Sequence, residues 1–219
     1  MANIILSKRS DAGLPWGYII YRTVYTPESD ELWPAVMAKF TGWMHRQIDA
    51  ECDYTDARIP EKLVHESYKD VVIEDKQQFD GASIDQIRHH FITSNGIEWH
   101  NINARLQACL VIDAPALASF AASPELRDWR PLMATPFVGM VDARYDSYSA
   151  KEKALYPGYF HVELGDLYFL YIQLTYPVSL DEWVPYAPPE LIPVYGLYGY
   201  AHDQEGKVTS FRSHRGGRG

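Results

Sequence analysis

The helix around which we expect the chain to fold opens in the stretch DGASIDQIRHHF, residues 80–91. Ser83 and Gln86 stand at the spacing of a capping box, in which the serine oxygen accepts a hydrogen bond from the Gln86 amide. The glutamine side chain reaches back to the Ser83 amide in the same motif. The stretch therefore predicts a helix that begins at Ser83.

Apolar residues in and after this stretch recur at helical spacing. Ile84, Ile87 and Phe91 are separated by three and four residues, which predicts one buried stripe along the helix. The end of the helix is predicted at residues 94–96 (Ser-Asn-Gly), because asparagine and glycine tolerate the left-handed backbone of a helix terminus.

Length and composition favour one domain. The chain has 219 residues, enough to bury roughly 70 to 75% of its unfolded surface without a disulfide or a metal. No linker divides it, and we predict a single α+β domain over residues 1–206. Cys109 lies in an apolar run far from Cys52, which favours a reduced, buried thiol and a reducing compartment.

Targeting and membrane signals are weak in this sequence. The apolar run near the N-terminus is too short for a signal peptide, and no stretch approaches the ~20 apolar residues of a membrane helix. We therefore expect a soluble, cytoplasmic protein without membrane contact.

The charge balance bears on partners. A formal net charge of −9 argues against general nucleic-acid binding, which needs a basic surface to replace the counterions of phosphate. Residues 207–219 hold four of the twenty Lys and Arg and no acid. We predict a disordered basic tail there; the alternative is a short Arg-Gly segment that contacts RNA or an acidic partner.

Strand-like and helix-like stretches alternate irregularly along the chain. We predict strands at 16–25, 71–73, 105–113 and 137–143, a helix from 26 to 48, and over 159–176 either a hairpin or a helix that runs into a strand. The Pro- and Tyr-rich residues 183–200 predict an extended segment on a surface. This order predicts an α+β fold, in its simplest form a ferredoxin-like antiparallel sheet with helices on one face.

Four features of the sequence occur together in a known group of proteins. They are a Trp-Gly-aromatic-x-Ile-Tyr-Arg strand at 16–22, a Glu-x-Trp helix start at 31–33, the Asp-Gly-Ala-Ser entry that ends in His-Phe at 80–91, and an apolar strand that ends near Asp113. With these features, residues 16 to about 145 resemble a large group of uncharacterised fungal proteins. The resemblance implies a shared fold and a fungal origin, and it carries no known activity.

Cofactor motifs do not occur in the chain. It has no phosphate-binding Gly-x-x-x-x-Gly-Lys, no Gly-x-Gly-x-x-Gly after a strand, and no serine-hydrolase elbow. It also lacks Cys-x-x-Cys and His-Glu-x-x-His, and the adjacent His89 and His90 point about 100° apart on a helix. We predict no cofactor and no metal.

Polar residues at the ends of predicted elements form the candidate site. We expect His90, His89 and Asp80 to carry acid–base chemistry, because loop-borne polar groups converge on pockets and histidine transfers protons near neutral pH. Asp113 and Asp142 stand at similar positions. The competing interpretations are a turn residue for Asp80, a buried structural histidine for His90 and a solvent-facing His89.

A second set of residues is predicted to contact a ligand. It comprises Tyr21, Arg22, His100 and His161, although a tyrosine in a strand is more often a packing residue. The sequence also holds 16 Tyr, 6 Trp and 8 Phe, which either line a cavity or fill a core that is poor in leucine.

Two functions of different class fit these observations. The first is a cofactor-independent enzyme or binding protein for a small, mostly apolar metabolite, with an aromatic pocket and His or Asp acid–base groups. The second is a non-catalytic interaction protein, a homodimer or a partner-binding module, that uses residues 183–200 as its contact surface.

Overall fold

The computed structural model describes residues 15–54, 61–97, 103–124, 136–176, 180–182, 184, 187–188, 190–195 and 201–209. The strands in these residues are β1 (Ile19–Arg22), β2 (Val71–Ile73), β3 (Ala108–Ile112), β4 (Phe137–Asp142), β5 (Tyr159–Glu163), β6 (Ile192–Tyr195), β7 (Ala201–His202) and β8 (Val208–Thr209). The α-helices are α1 (Pro27–Tyr54), α2 (Glu61–Ser67), α3 (Lys76–Phe79), α4 (Ile84–Asn95), α5 (Ala104–Gln107), α6 (Ala114–Ala122), α7 (Ala150–Lys153) and α8 (Leu167–Gln173). Short 3-10 turns lie at Tyr145–Ser147, Leu164–Asp166 and Leu180–Glu182.

All the strands belong to one mixed sheet, in the order β2-β1-β3-β4-β5-β6-β7-β8. β1 is parallel to both β2 and β3, and β5 is parallel to β6, whereas the other neighbouring pairs are antiparallel. The mixture of helices and strands is confirmed. The ferredoxin-like antiparallel sheet is not confirmed, because the helical connections from β1 to β2 and to β3 return the chain in the same direction.

The helix that opens after residue 83 forms as the sequence predicts. Ser83 Oγ accepts from the Gln86 amide, Gln86 Oε1 accepts from the Ser83 amide at 2.8 Å, and Gly96 ends α4 in the left-handed region with φ 56°. Ile87 and Phe91 are buried against the sheet, in one apolar cluster with Tyr21 of β1. The local hydrogen bonds and the apolar stripe therefore both favour a helix at α4.

Helices cover both faces of the sheet rather than one. The α4 side holds the apolar cluster around Tyr21, Cys109 and Val111. The opposite side packs on α1, α6 and α8 through a larger cluster that includes Phe40, Phe120 and residues of α8. β1 and β3 are buried along their whole length, which is typical of interior strands covered on both faces.

Two predicted elements, at residues 159–176 and 105–113, differ from the structure. The stretch 159–176 is a strand followed by a helix, β5 and then α8, because the first residues pair with β4 and the later ones pack on α1. Residues 104–107 form a helical turn, so β3 begins only at Ala108.

The C-terminal stretch takes part in the sheet. Residues 192–195 form β6, which pairs with β5 and has Val194 fully buried, whereas several residues of 183–200 lie outside the described residues. Residues 207–209 belong to the β7–β8 hairpin, and 210–219 lie outside the described residues. Within the described ranges, no helix is long and apolar enough to cross a membrane.

Candidate functional site

Four side chains join in a line of hydrogen bonds across the sheet. Asp113 Oδ2 lies 3.5 Å from the Tyr159 hydroxyl, and that hydroxyl lies 3.1 Å from Nε2 of His161. Nδ1 of His161 lies 2.7 Å from Nδ1 of His202. We call these four residues the acid–base line.

The line is positioned by three strands and one helix start. Asp113 follows β3 and caps α6, because its Oδ1 accepts from the Ala116 amide at 2.9 Å. Tyr159 and His161 are two residues apart on β5 and therefore face the same side of the sheet.

A glycine makes room for the tyrosine. Gly139 of β4 pairs with His161, and a Cβ atom at Gly139 would lie 2.5 Å from the Tyr159 hydroxyl. The tyrosine ring therefore crosses β4 only because this position has no side chain. Gly139 is thus a structural requirement of the acid–base line.

An aromatic ring covers the histidines. Phe137 packs on His161 with ring centroids 4.3 Å apart and planes 26° from parallel, and its centroid lies 4.4 Å from that of His202. The β7–β8 turn lies close to Phe137, since a Cβ at Gly206 would lie 2.8 Å from its ring. His161 is 1% exposed and His202 is 3% exposed, so water has little access to either.

Burial disfavours the charged form of each member of the line. It raises the pKa of Asp113, against the hydrogen bonds from Ala116 and Tyr159, and it raises the pKa of Tyr159. Burial, with the neighbouring His202, lowers the pKa of His161 to about 3. Burial lowers the pKa of His202 to about 4, although Asp203 acts in the opposite direction. Both imidazoles are therefore neutral at neutral pH.

Two residues predicted from the sequence meet on the same face of the sheet. The Tyr21 hydroxyl lies 2.8 Å from Nδ1 of His90, whose Nε2 lies 3.1 Å from the Ser94 hydroxyl. Phe79 packs edge-on against both rings. Burial raises the pKa of Tyr21, so its hydroxyl stays protonated and is able to donate to Nδ1.

The two predicted histidines also border an open depression of about 600 Å³. It is lined by Gln78, Phe79, Asp85, Gln86, His89, His90 and Thr93. The His89 side chain is exposed, and Asp80 is an exposed residue at the end of α3 that does not line the depression.

The remaining predicted residues lie elsewhere. Arg22 is buried on the opposite face, where it donates to the Val24 carbonyl, to Ser29 and to Asp30, and lies over the rings of Tyr25 and Trp33. His100 lies outside the described residues. The structure therefore brings Tyr21 to His90 and His161 to the acid–base line, and it separates Arg22 from both.

Tyr159 and His202 were not among the residues predicted from the sequence. For Tyr159 the sequence does hold a signal, namely Gly139 inside an otherwise apolar strand, which indicates that another group approaches the backbone closely. A second signal is the spacing of Tyr159 and His161, which places both on one face of a strand. His202 has no such local signal, since its partner is 41 residues away.

Neither comparison with known proteins nor a grouping of metal ligands indicates what this site binds. No model of a protein family, no curated protein and no solved structure matches the chain. Among the described residues, no three His, Cys, Asp or Glu side chains are grouped so that they hold a metal ion.

Proposed function

We propose that the protein binds a small, mostly apolar molecule and uses the acid–base line to exchange a proton with it, as a cofactor-independent enzyme or as a binding protein. The observation that carries the proposal is the line itself, with Asp113, Tyr159, His161 and His202 joined by successive hydrogen bonds. Titratable groups with strongly shifted pKa values that share one hydrogen-bonded network occur most often at functional sites.

The chemistry of the line suits proton transfer. A neutral imidazole donates through one nitrogen and accepts through the other, and a phenol hydroxyl does both. His161 and His202 are neutral at neutral pH. Each is therefore able to accept a proton, whereas a charged imidazolium would first have to release one. A core built only for stability would be served as well by apolar residues of the same volume.

The surroundings favour an apolar ligand. Tyr159 packs against the same buried apolar cluster as Tyr21 and Phe79, and Phe79 also lines the depression at His89 and His90. Aromatic side chains contribute large apolar contact areas, and their hydroxyls orient a bound molecule. The depression offers an approach to this face of the sheet from solvent.

Native mass spectrometry of the purified protein tests the proposal. We expect a small-molecule adduct that disappears on denaturation, or adducts after incubation with a panel of neutral apolar alcohols, phenols and ketones. Tyr159→Phe should reduce adduct occupancy at least tenfold, since it removes the hydroxyl at the centre of the line. Tyr148→Phe is the matched control, because that hydroxyl also hydrogen-bonds to a carboxylate, Asp142, at 2.9 Å. Equal adduct occupancy in the two variants and the wild type would show that the acid–base line takes no part in binding.

The histidines of α4 are tested separately. If the depression is part of the ligand's path, His89→Ala should weaken binding and leave the fold unchanged, because its side chain is exposed. His90→Ala should weaken binding and also release Tyr21. Unchanged affinity in both variants would exclude a role for these two histidines.

The interaction hypothesis needs the full-length chain for its test. Deletion of residues 183–219 would remove β6, whose Val194 is fully buried, and would disturb the sheet for reasons unrelated to association. The assembly mass of the intact protein, measured in the same native spectra, is the suitable readout. A dimer without any adduct would favour the interaction protein over the small-molecule protein.

A further inference from the structure

We propose that the outer edge of β2 is a dimerisation surface, at which a second copy of this chain adds its own β2 as an antiparallel strand. β2 is the first strand in the order of the sheet, and its inner side pairs with β1. This contact is separate from residues 183–200 and from the acid–base line, so it does not depend on the proposed function.

The pairing with β1 decides which backbone groups of this segment point outwards. The amides of Lys69 and Val71 donate to carbonyls of the chain that leads into β1, at 2.8 and 2.9 Å. Backbone groups of successive residues in a strand point to opposite sides, towards one neighbouring strand and then the other. Asp70 and Val72 therefore direct their N–H and C=O groups away from β1.

The outer side of β2 has no strand beside it in the described ranges. No hydrogen bond from these ranges reaches the backbone of Asp70 or the outward groups of Val72. The Val71 side chain is 42% exposed on the same edge. An edge with unused donors and acceptors and an exposed apolar side chain is a template for a further strand.

The outward direction of Val72 defines a symmetric register. Two copies of one strand that pair antiparallel are related by a two-fold axis, which here passes between the two Val72 residues. Each Val72 then donates its N–H to the other and accepts through its C=O. With Asp70 opposite Glu74 of the second copy on either side, the pairing forms about six backbone hydrogen bonds.

Side chains on the α4 side of the sheet fit this register. Val71 lies opposite Ile73 of the second copy, and Lys69 lies opposite Asp75 of the second copy, so the two-fold axis generates two ion pairs. Among the described residues, the Lys69 ammonium forms no ion pair. Asp75 uses only Oδ1 to cap α3, which leaves Oδ2 for the lysine. Opposite charges that face each other across strands stabilise the pairing.

One pair in this register has like charges. Asp70 lies opposite Glu74 of the second copy, on the other face of the sheet. Each carboxylate already has a partner in its own chain, because Asp70 accepts from the Tyr18 amide at 2.7 Å and Glu74 lies 3.7 Å from Arg22. The pair therefore opposes the dimer less than two free carboxylates would.

The charges at the two ends of β2 distinguish a second copy from an arbitrary strand. Charged residues beside a short edge strand discourage pairing with most other chains. Lys69 stands before β2 and Asp75 after it, so an antiparallel copy brings opposite charges together at both ends. A parallel copy in register would instead place lysine beside lysine and aspartate beside aspartate.

Sedimentation velocity of the full chain tests the dimer. The short contact predicts weak association, so the mass should rise towards twice that of the chain between about 5 and about 500 µM. Val72→Pro should abolish this rise and keep the fold, because proline removes an outward N–H that β1 does not use. Val72→Ala keeps that N–H and should still associate. A wild type that stays monomeric, or a folded Val72→Pro variant that associates as the wild type does, would overturn the proposal.

Exchange of the charges identifies the register. Lys69→Asp and Asp75→Lys, each alone, should weaken association about tenfold, since like charges then face each other at both ends. An equimolar mixture of the two variants should associate as the wild type does, because each lysine again meets an aspartate. A mixture no stronger than its components would overturn the antiparallel register. Small-molecule adducts in the native spectra test the proposed function separately, whatever the assembly mass.

Discussion

Two histidine pairs in the described part of the chain have nearly the same distances between their nitrogens and between their ring centroids. In the acid–base line, the Nδ1 atoms of His161 and His202 are 2.7 Å apart, with ring centroids 5.0 Å apart. Where α1 meets α2, the Nδ1 atoms of His45 and His65 are 2.6 Å apart, with centroids 4.8 Å apart. We call the second pair the surface histidine pair.

The surroundings of the two pairs differ. His65 of the surface histidine pair has its Nε2 2.8 Å from a carboxylate, Asp49, whose side chain is 52% exposed. In the acid–base line a tyrosine stands between imidazole and carboxylate, and both rings are at most 3% exposed. The surface pair is therefore partly exposed to water and has a carboxylate in direct contact, whereas water has little access to the buried pair and the effect of Asp203 on His202 is smaller than that of burial. Burial is therefore the largest influence on the charge of His161 and His45, and the partner histidine adds to it.

The largest expected effect comes from the glycine under Tyr159. Gly139→Ala should lower the free energy of unfolding by about 4 kcal/mol, because the new methyl group overlaps the Tyr159 ring in a packed sheet. The surface histidine pair should be unaffected. Urea unfolding measures the change.

Gly96→Ala is the control for this variant. A Cβ at Gly96 meets no atom within 4 Å, and its φ of 56° makes the expected cost about 1 kcal/mol of backbone strain. If the two alanine variants lose the same stability, the close approach of Tyr159 to β4 does not constrain the fold.

The next largest effect should be a loss of stability in acid, caused by the buried pair His161 and His202. The pKa values of His161 and His202, about 3 and about 4, lie below the 6.5 of a free histidine, so the unfolded chain binds more protons below pH 6.5. Stability from this pair is full above pH 6.5 and falls as the pH drops towards 4. Between pH 7 and pH 5.5 we expect a loss of about 2.5 kcal/mol, measured by denaturant unfolding at each pH.

A double variant isolates the contribution of the pair. His161→Gln with His202→Gln should flatten the slope of stability against pH between 4.5 and 6.5, whatever it does to stability at pH 7. An unchanged slope would mean that other groups cause the acid sensitivity.

Local signals in the sequence predicted the elements better than the site. The capping box at Ser83, the stop at Gly96 and the buried Ile87 and Phe91 are confirmed, because each depends on contacts within a few residues. Strand direction was not predictable in the same way, since it depends on where a long helical connection brings the chain back. That is why an antiparallel sheet was the simplest expectation and a mixed sheet is the result.

The acid–base line shows the same limit within the candidate site. His161 was among the predicted ligand-binding residues, and Asp113 stood at the end of a predicted strand. Their connection depends on Tyr159, 46 residues from Asp113, and on His202, 41 residues from His161. Sequence patterns indicated residue types suited to acid–base chemistry, but only the packing of β4, β5 and β7 sets which of them meet.

A buried carboxyl sharpens the comparison, because its pH dependence has the opposite sign. Asp70 accepts from the Tyr18 amide at 2.7 Å and from the Tyr68 hydroxyl, and burial raises its pKa to about 6 against these hydrogen bonds. Its contribution to stability is full below pH 4 and is lost as the pH rises through 6. Asp70→Asn should remove about 2 kcal/mol of this dependence between pH 4 and pH 7, measured by unfolding at both values. The same slope in the variant and the wild type would show that Asp70 titrates normally.

The smallest effect should come from the surface histidine pair, and it decides whether burial separates the two pairs. His45 is half-buried, and its pKa is lowered by burial and by His65 while Asp49 acts in the opposite direction. His45→Gln should cost about 0.5 kcal/mol at pH 7, because water replaces the lost hydrogen bond at a half-exposed site. His161→Gln removes the same Nδ1 contact in the interior and should cost about 2 kcal/mol, since it leaves buried polar groups unpaired. Equal costs for the two variants, measured by denaturant unfolding, would contradict the conclusion that burial is what distinguishes the pairs.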